Sequence, residues 1–192
     1  KVTPGEIEAF SQGLQGDFPH LRGLQLVLVY PGGGLLPIRA WPMKYYQEVI
    51  KGLLASGHAV GVIGLEQDKG LAGAILSSCR SEFCLDLTGY TKTVRDLILL
   101  LPRASLLISN DGGPGHCTSL TAIPSIVLYG PETPTLYGVM GPKAHVFYNP
   151  IPCSPCLTAY NHRRSPCDGN NVCLKGISPQ AVLEKAHELL RQ

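Results

Sequence analysis

The sequence predicts an α/β fold built on a doubly wound, mostly parallel sheet with helices on both faces. Three observations predict it. From Leu24 onward, short runs rich in Val, Ile and Leu alternate with stretches of helical spacing. The apolar runs lack polar alternation, as strands covered on both faces do. Gly- and Pro-rich segments follow several of these runs, at the strand ends where such sheets hold ligands. Together they describe a Rossmann-like arrangement.

Residues 1–22 are weakly patterned and read as a linker or the end of a preceding domain. A short helix over Glu6–Leu14 is broken by Gly16–His20. The Rossmann-like domain is expected over residues 23–192. Leu24–Tyr30 is its first strand. Pro42 suits the first turn of a helix, where a missing N–H costs nothing, and Met43, Tyr46, Val49, Ile50, Leu53 and Leu54 form the apolar stripe. Gly57 ends that helix. His58–Leu65 is the second strand, and Asp68 can cap the helix that follows. Phe83–Gly89 is the third strand. Thr91 or Thr93 caps the next helix, which must stop near Pro102. Ser105–Asn110 is the fourth strand, followed by a helix over 112–123 that Pro124 closes. Ser125–Gly130 and Ala144–Asn149 are the fifth and sixth strands. Ser178 caps a final helix with Pro179 at its first position.

Bulk properties narrow the function. The 192 residues suit one domain better than two. Charged residues make up 16%, below the roughly 25% of soluble domains, which fits a surface partly turned to another domain. A net charge of +2 argues against nucleic acid as a partner. No apolar run reaches the roughly 18 residues of a transmembrane segment. The opening KVTPGEIEAF has neither the apolar core of a signal peptide nor an initiator Met, so a longer parent chain is expected.

Three loops carry candidate ligand chemistry. Ser109–His116, SNDGGPGH, joins a strand to a helix. Gly112 and Gly113 let backbone approach an anion, and the N–H groups of a helix start attract one. Asp111 can accept from ligand hydroxyls, and His116, about one turn on, can donate to a phosphate or sugar oxygen. The plainer reading makes Asp111 an N-cap, the glycines a tight turn and His116 an ordinary helix residue. Pro31–Pro42 offers Arg39, which can fork onto a diphosphate; a surface Arg in a glycine turn is its bland counterpart. Trp41 beside it reads as a packing residue. In the loop of residues 129–141, Glu132, Thr133 and Thr135 can meet ligand hydroxyls or simply shape the loop.

Cys153, Cys156, Cys167 and Cys173 form C-x2-C-x10-C-x5-C, with His162 as a spare ligand. Four thiolates with one C-x2-C suit structural zinc, although the spacing is not that of a standard finger. Free thiols and disulfides formed on purification are the alternatives. Cys79, Cys84 and Cys117 read as reduced thiols in apolar or helical settings.

Several motifs in order resemble the C-terminal half of glycosyltransferase family 9, the heptosyltransferase-type enzymes of lipopolysaccharide synthesis. The strongest is LLISNDGGPGHCTSLTAIPSIVLYGPETP, in which Asp111, Gly113 and His116 stand at D-x-G-x-x-H, and Gly130, Pro131 and Pro134 at G-P-T-x-P. IRAWP and LDLTG are similar to further family motifs. The resemblance implies one half of a two-domain GT-B enzyme. This half would bind a nucleotide-diphospho-sugar, ADP-heptose-like, and a second domain would present a glycan or lipid-linked acceptor and the base. Arg39, Asp111, Gly112, Gly113, His116, Glu132 and Thr133 would meet the donor, and no catalytic residue is identified in this half. Three positions depart from the pattern: Arg39 stands for a usual Lys, Gly112 for a Thr or Ser, and Glu132 for the Thr of G-P-T. No cofactor is required if protein groups stabilise the leaving diphosphate. The setting implied is cytoplasmic, alternatively peripheral at the inner membrane. Cysteine-rich loops of this kind occur in many members. A chain without the acceptor domain is expected to bind donor and barely transfer it.

The competing classes are an epimerase-like or NAD-type enzyme on the same fold, and a non-catalytic binding module. PGGGLLPIRAWP lacks the G-x-G-x-x-G spacing of a nicotinamide enzyme.

Overall fold

The computed structural model of the chain describes residues 2–161 and 164–191. It opens with helix α1, Pro4–Asp17, longer than its apolar spacing suggests because Thr3 closes a capping box with Glu6. Strand β1 (Leu26–Tyr30) leads to α2 (Met43–Ala55), β2 (Ala59–Gly64), α3 (Lys69–Cys79) and β3 (Cys84–Thr88). Then come α4 (Val94–Leu100), β4 (Leu106–Asn110), α5 (Gly113–Cys117), β5 (Ser125–Tyr129) and α6 (Pro134–Tyr137). Strand β6 (Ala144–Tyr148), α7 (Val172–Lys175) and α8 (Pro179–Leu190) complete the chain.

The six strands form one sheet in the order β3-β2-β1-β4-β5-β6, and every pairing is parallel. Alternate residues of each strand face opposite sides, and both sides are apolar. In β1, Val27 and Val29 join one cluster with Val49, Ile50 and Leu53 of α2, Ile75 of α3 and Val182 of α8. Leu26 and Leu28 join the other, with Leu14 of α1 and Leu100 of α4. This two-sided burial explains the uninterrupted apolar strands in the sequence.

Residues expected as a linker or a preceding domain's end include α1, which lies on the second face. Phe10 and Phe18 both meet the Tyr90 ring at 6.0 Å between centroids, and Tyr90 Oη donates to Asp17 Oδ2 at 2.8 Å. Arg95 of α4 pairs with Glu6 at 2.7 Å. The Thr3 backbone and Arg95 hold the Glu6 carboxyl down at about 2.

Two caps resolve as follows. Thr93, not Thr91, caps α4, in a capping box with Asp96. Asp68 does not cap α3: its carboxylate reaches back to the Leu65 N–H at 2.8 Å and closes a 3₁₀ turn over Glu66–Asp68. Pro42 sits at the N-cap of α2 rather than inside it. Among the described residues, no helix is long and apolar enough to cross a membrane.

Candidate functional site

The chain winds outward from β1 to β3 on one side and from β4 to β6 on the other. The crevice between the carboxyl ends of β1 and β4 is the topological switch point, where open parallel sheets bind ligands. The loops after β1, β4 and β5 all open there.

Asn110, the last residue of β4, organises that edge. It is wholly buried. Its Oδ1 accepts from the Trp41 N–H at 3.0 Å and from Tyr46 Oη at 2.8 Å. Its Nδ2 donates to the carbonyls of Pro31 and Gly32 at 2.8 and 3.0 Å. Each Asn polar atom therefore has two partners, and the loop after β1 is tied to the loop after β4. Burial holds the Tyr46 phenol protonated, with its pKa far above the usual value. Trp41 packs as expected: it is 2% exposed, and its indole N–H is shared by the carbonyls of Leu174 and Ile177, each at 3.1 Å.

Next to Asn110 lies an ionic cluster drawn from all three loops. Arg39 Nη2 is ion-paired with Glu132 Oε2. Arg39 Nε stands 3.7 Å from Asp111 Oδ2, too far for a hydrogen bond, and neither atom has a hydrogen-bond partner among the described residues. His116 Nε2 is 3.8 Å from Asp111 Oδ1. Exposure of the side chains is 14% for Arg39, 5% for Asp111 and 2% for Glu132, against 47% for His116. The structure thus brings Arg39, Asp111, His116 and Glu132 together. One nitrogen of the Arg39 fork already serves Glu132.

The loop after β4 differs from the expectation of a long helix over 112–123. Helix α5 is five residues long and gives way to a 3₁₀ turn over Thr118–Leu120. Pro and Gly in its only turn, and β-branched Thr118 and Thr121 after it, limit its propagation. Asp111 is not its cap: Gly112 holds the N-cap position, and no side chain caps it. The amides of Gly112 and Gly113 make no hydrogen bond among the described residues, and Gly113 is exposed. Thr133 is used locally, capping α6 by accepting from the Thr135 N–H at 3.3 Å.

The cysteine loop lies directly behind this edge. Cys156 and Leu157 donate their amides to the Pro131 carbonyl at 2.9 and 2.8 Å. Asn171 Nδ2 donates to the Ile38 carbonyl at 2.7 Å. Cys153, Cys156, Cys167 and Cys173 all line one pocket of about 420 Å³. Burial pushes the Cys173 thiol up, and nearby Cys156 and Cys153 add to the rise. All four are free thiols, and no group of three or more His, Cys, Asp or Glu among the described residues is arranged to hold a metal ion. His162 lies outside the described residues.

Sequence reasoning missed Asn110. Asn110 was readable only as a strand end, although an Asn closing an apolar strand just before a glycine loop is a signal in itself.

Strand order, parallel pairing and glycine loops at the switch point define the class: a Rossmann-like α/β domain with its candidate site at the strands' carboxyl ends. The chain belongs to glycosyltransferase family 9 (heptosyltransferase), whose family model matches residues 17–165. It is 29% identical over 167 residues to lipopolysaccharide heptosyltransferase 2 of Salmonella typhimurium, covering 84% of this chain and 46% of that protein. The solved Escherichia coli ADP-heptose lps heptosyltransferase II superposes with a TM-score of 0.79 at 25% identity, over 100% of this chain and 53% of the other. The family 9 glycosyl transferase of Veillonella parvula shares the fold, with a TM-score of 0.77 at 21% identity over 99% and 53%. The chain spans about half the length of the curated relatives it matches.

Proposed function

We propose that this chain binds a nucleotide-diphospho-sugar donor, of the ADP-heptose type, for transfer to a lipopolysaccharide or related glycan acceptor held by a second domain. The observation that carries the reading is the convergence of Arg39, Asp111, His116 and Glu132 from three loops at the switch point of a family 9 fold.

Glycosyl transfer forms a bond from an acceptor oxygen to the anomeric carbon and breaks the bond from that carbon to the diphosphate. Positive charge builds on the sugar and negative charge on the leaving nucleoside diphosphate. The amides of Gly112 and Gly113 meet the phosphates, and the Arg39 donors that Glu132 leaves over add charge stabilisation where it develops. Asp111, buried and acceptor-only when ionised, takes sugar hydroxyls rather than phosphate, since like charges repel. His116, half exposed at the mouth, donates to the sugar or the leaving oxygen. Glu132 orients Arg39, and Thr133 fixes the loop that carries Glu132. The acceptor's proton leaves to a base outside this half. The reading needs no resident cofactor for transfer and sets the reaction in the cytoplasm or at the inner membrane surface.

Calorimetric titration of the chain with ADP, an ADP-sugar, UDP, GDP and NAD tests the donor reading. Binding of the adenine diphosphates in preference to the others is expected. No binding of any nucleotide sugar would sink it.

A further inference from the structure

The ring of Tyr30 occupies a position that the donor reading leaves without a role. Tyr30 ends β1 and pairs in register with Ser109 of β4, so it stands on the switch point itself. Its side chain is a wedge between two glycine loops. A Cβ at Gly112 would meet ring atom Cε1 at 3.4 Å. On the opposite edge, a Cβ at Gly32 would meet Cε2 at 3.4 Å, and one at Gly34 would meet Oη at 3.4 Å. Glycines around the ring keep backbone close to it and leave no side chains to cover the hydroxyl.

The residue is 8% exposed, and its Oη, open to solvent rather than sealed in, makes no hydrogen bond among the described residues. Burial pushes the Tyr30 phenol up, with Asp68 adding to the rise and Arg39 opposing it. The hydroxyl therefore lies in the field of both the loop after β2 and the Arg39 cluster. It is a neutral donor held beside glycine backbone, in the crevice where a diphosphate crosses between strands.

We propose that Tyr30 is a donor-contacting residue whose hydroxyl gives a hydrogen bond to a diphosphate oxygen of the bound nucleotide. This rests on the donor reading above. A neutral hydroxyl suits the position: it donates to phosphate without adding charge to a cluster where two carboxylates already face one guanidinium.

The test compares Tyr30→Phe with the unmodified chain, using ADP and adenosine as probes in titrations followed by NMR. Phe keeps the ring and its packing, and a thermal melt checks that the fold is kept. Loss of about ten-fold in ADP affinity with adenosine affinity unchanged is expected. Unchanged or tighter ADP binding would overturn the proposal, the latter showing that the hydroxyl merely blocks the recess. An equal loss for adenosine and ADP would overturn it too, because the ring would then act through packing alone. Failure of the unmodified chain to bind any nucleoside diphosphate would remove the donor reading, a result distinguishable from all of these.

Discussion

Arg39 and Glu132 are the two charged residues that depart from the family pattern the sequence resembles, and the structure pairs them with each other. A planar guanidinium can serve a buried carboxylate and still present donors elsewhere, which an ammonium on a flexible stem does less well. The two departures then belong together. Breaking a buried pair by removing one partner costs about 3–5 kcal/mol, because the other charge is left without compensation. Glu132→Thr and Arg39→Gln should each lower the unfolding free energy, while the double variant should lose less than the sum by about 1 kcal/mol or more. Urea unfolding of the four proteins reads this directly, and additive losses would show that the pair is not coupled. None of this was legible in the sequence. Each residue was readable as a ligand contact from its own loop, but 93 positions separate them, and no local pattern encodes a contact over that distance. Asn110 was hidden for the same reason: its partners, Pro31, Gly32, Trp41 and Tyr46, come from elsewhere in the chain.

Elements with strong local signals were readable, and those shaped by their surroundings were not. Ser178 and Thr93 cap their helices because an Oγ at N-cap satisfies an otherwise free N–H whatever packs nearby. The apolar stripe of α2 buries Tyr46, Val49, Ile50 and Leu53, while Met43 at its edge stays partly exposed. Helix α5 is the reverse case: the residues after Cys117 suit a helix only moderately, and a 3₁₀ turn takes them instead. The seam of α8 with α2 and the neighbouring sheet edge carries the pH dependence. Burial and then His187 lower the His58 pKa, and burial and then Lys185 lower that of His145. Both imidazoles bind protons less readily folded than unfolded. The stability they contribute is full above their ordinary value of 6.5 and is lost as pH falls through the lowered folded values. The urea midpoint should therefore drop as pH falls below 6.5. His58→Gln should flatten part of that drop, and an unchanged profile would rule out the assignment to this residue.

At the scale of the molecule, topology was the most legible feature. Buried parallel strands write long apolar runs, crossovers write helical stripes between them, and right-handed connection then leaves few arrangements. The strand order β3-β2-β1-β4-β5-β6 is one of these and places the loops after β1, β4 and β5 at one crevice. The SNDGGPGH loop is readable as a ligand loop from its glycines and its place between a strand and a helix. The inner geometry of the crevice was not readable, because it depends on which side chains from distant loops neutralise each other. The proposed donor site puts a nucleoside diphosphate across this crevice. A crystal structure of the chain grown with ADP measures it most directly. A diphosphate within hydrogen-bond reach of the Gly112 and Gly113 amides, beside Arg39 and Tyr30, is expected. ADP bound elsewhere on the surface, with the crevice between β1 and β4 left empty, would contradict it.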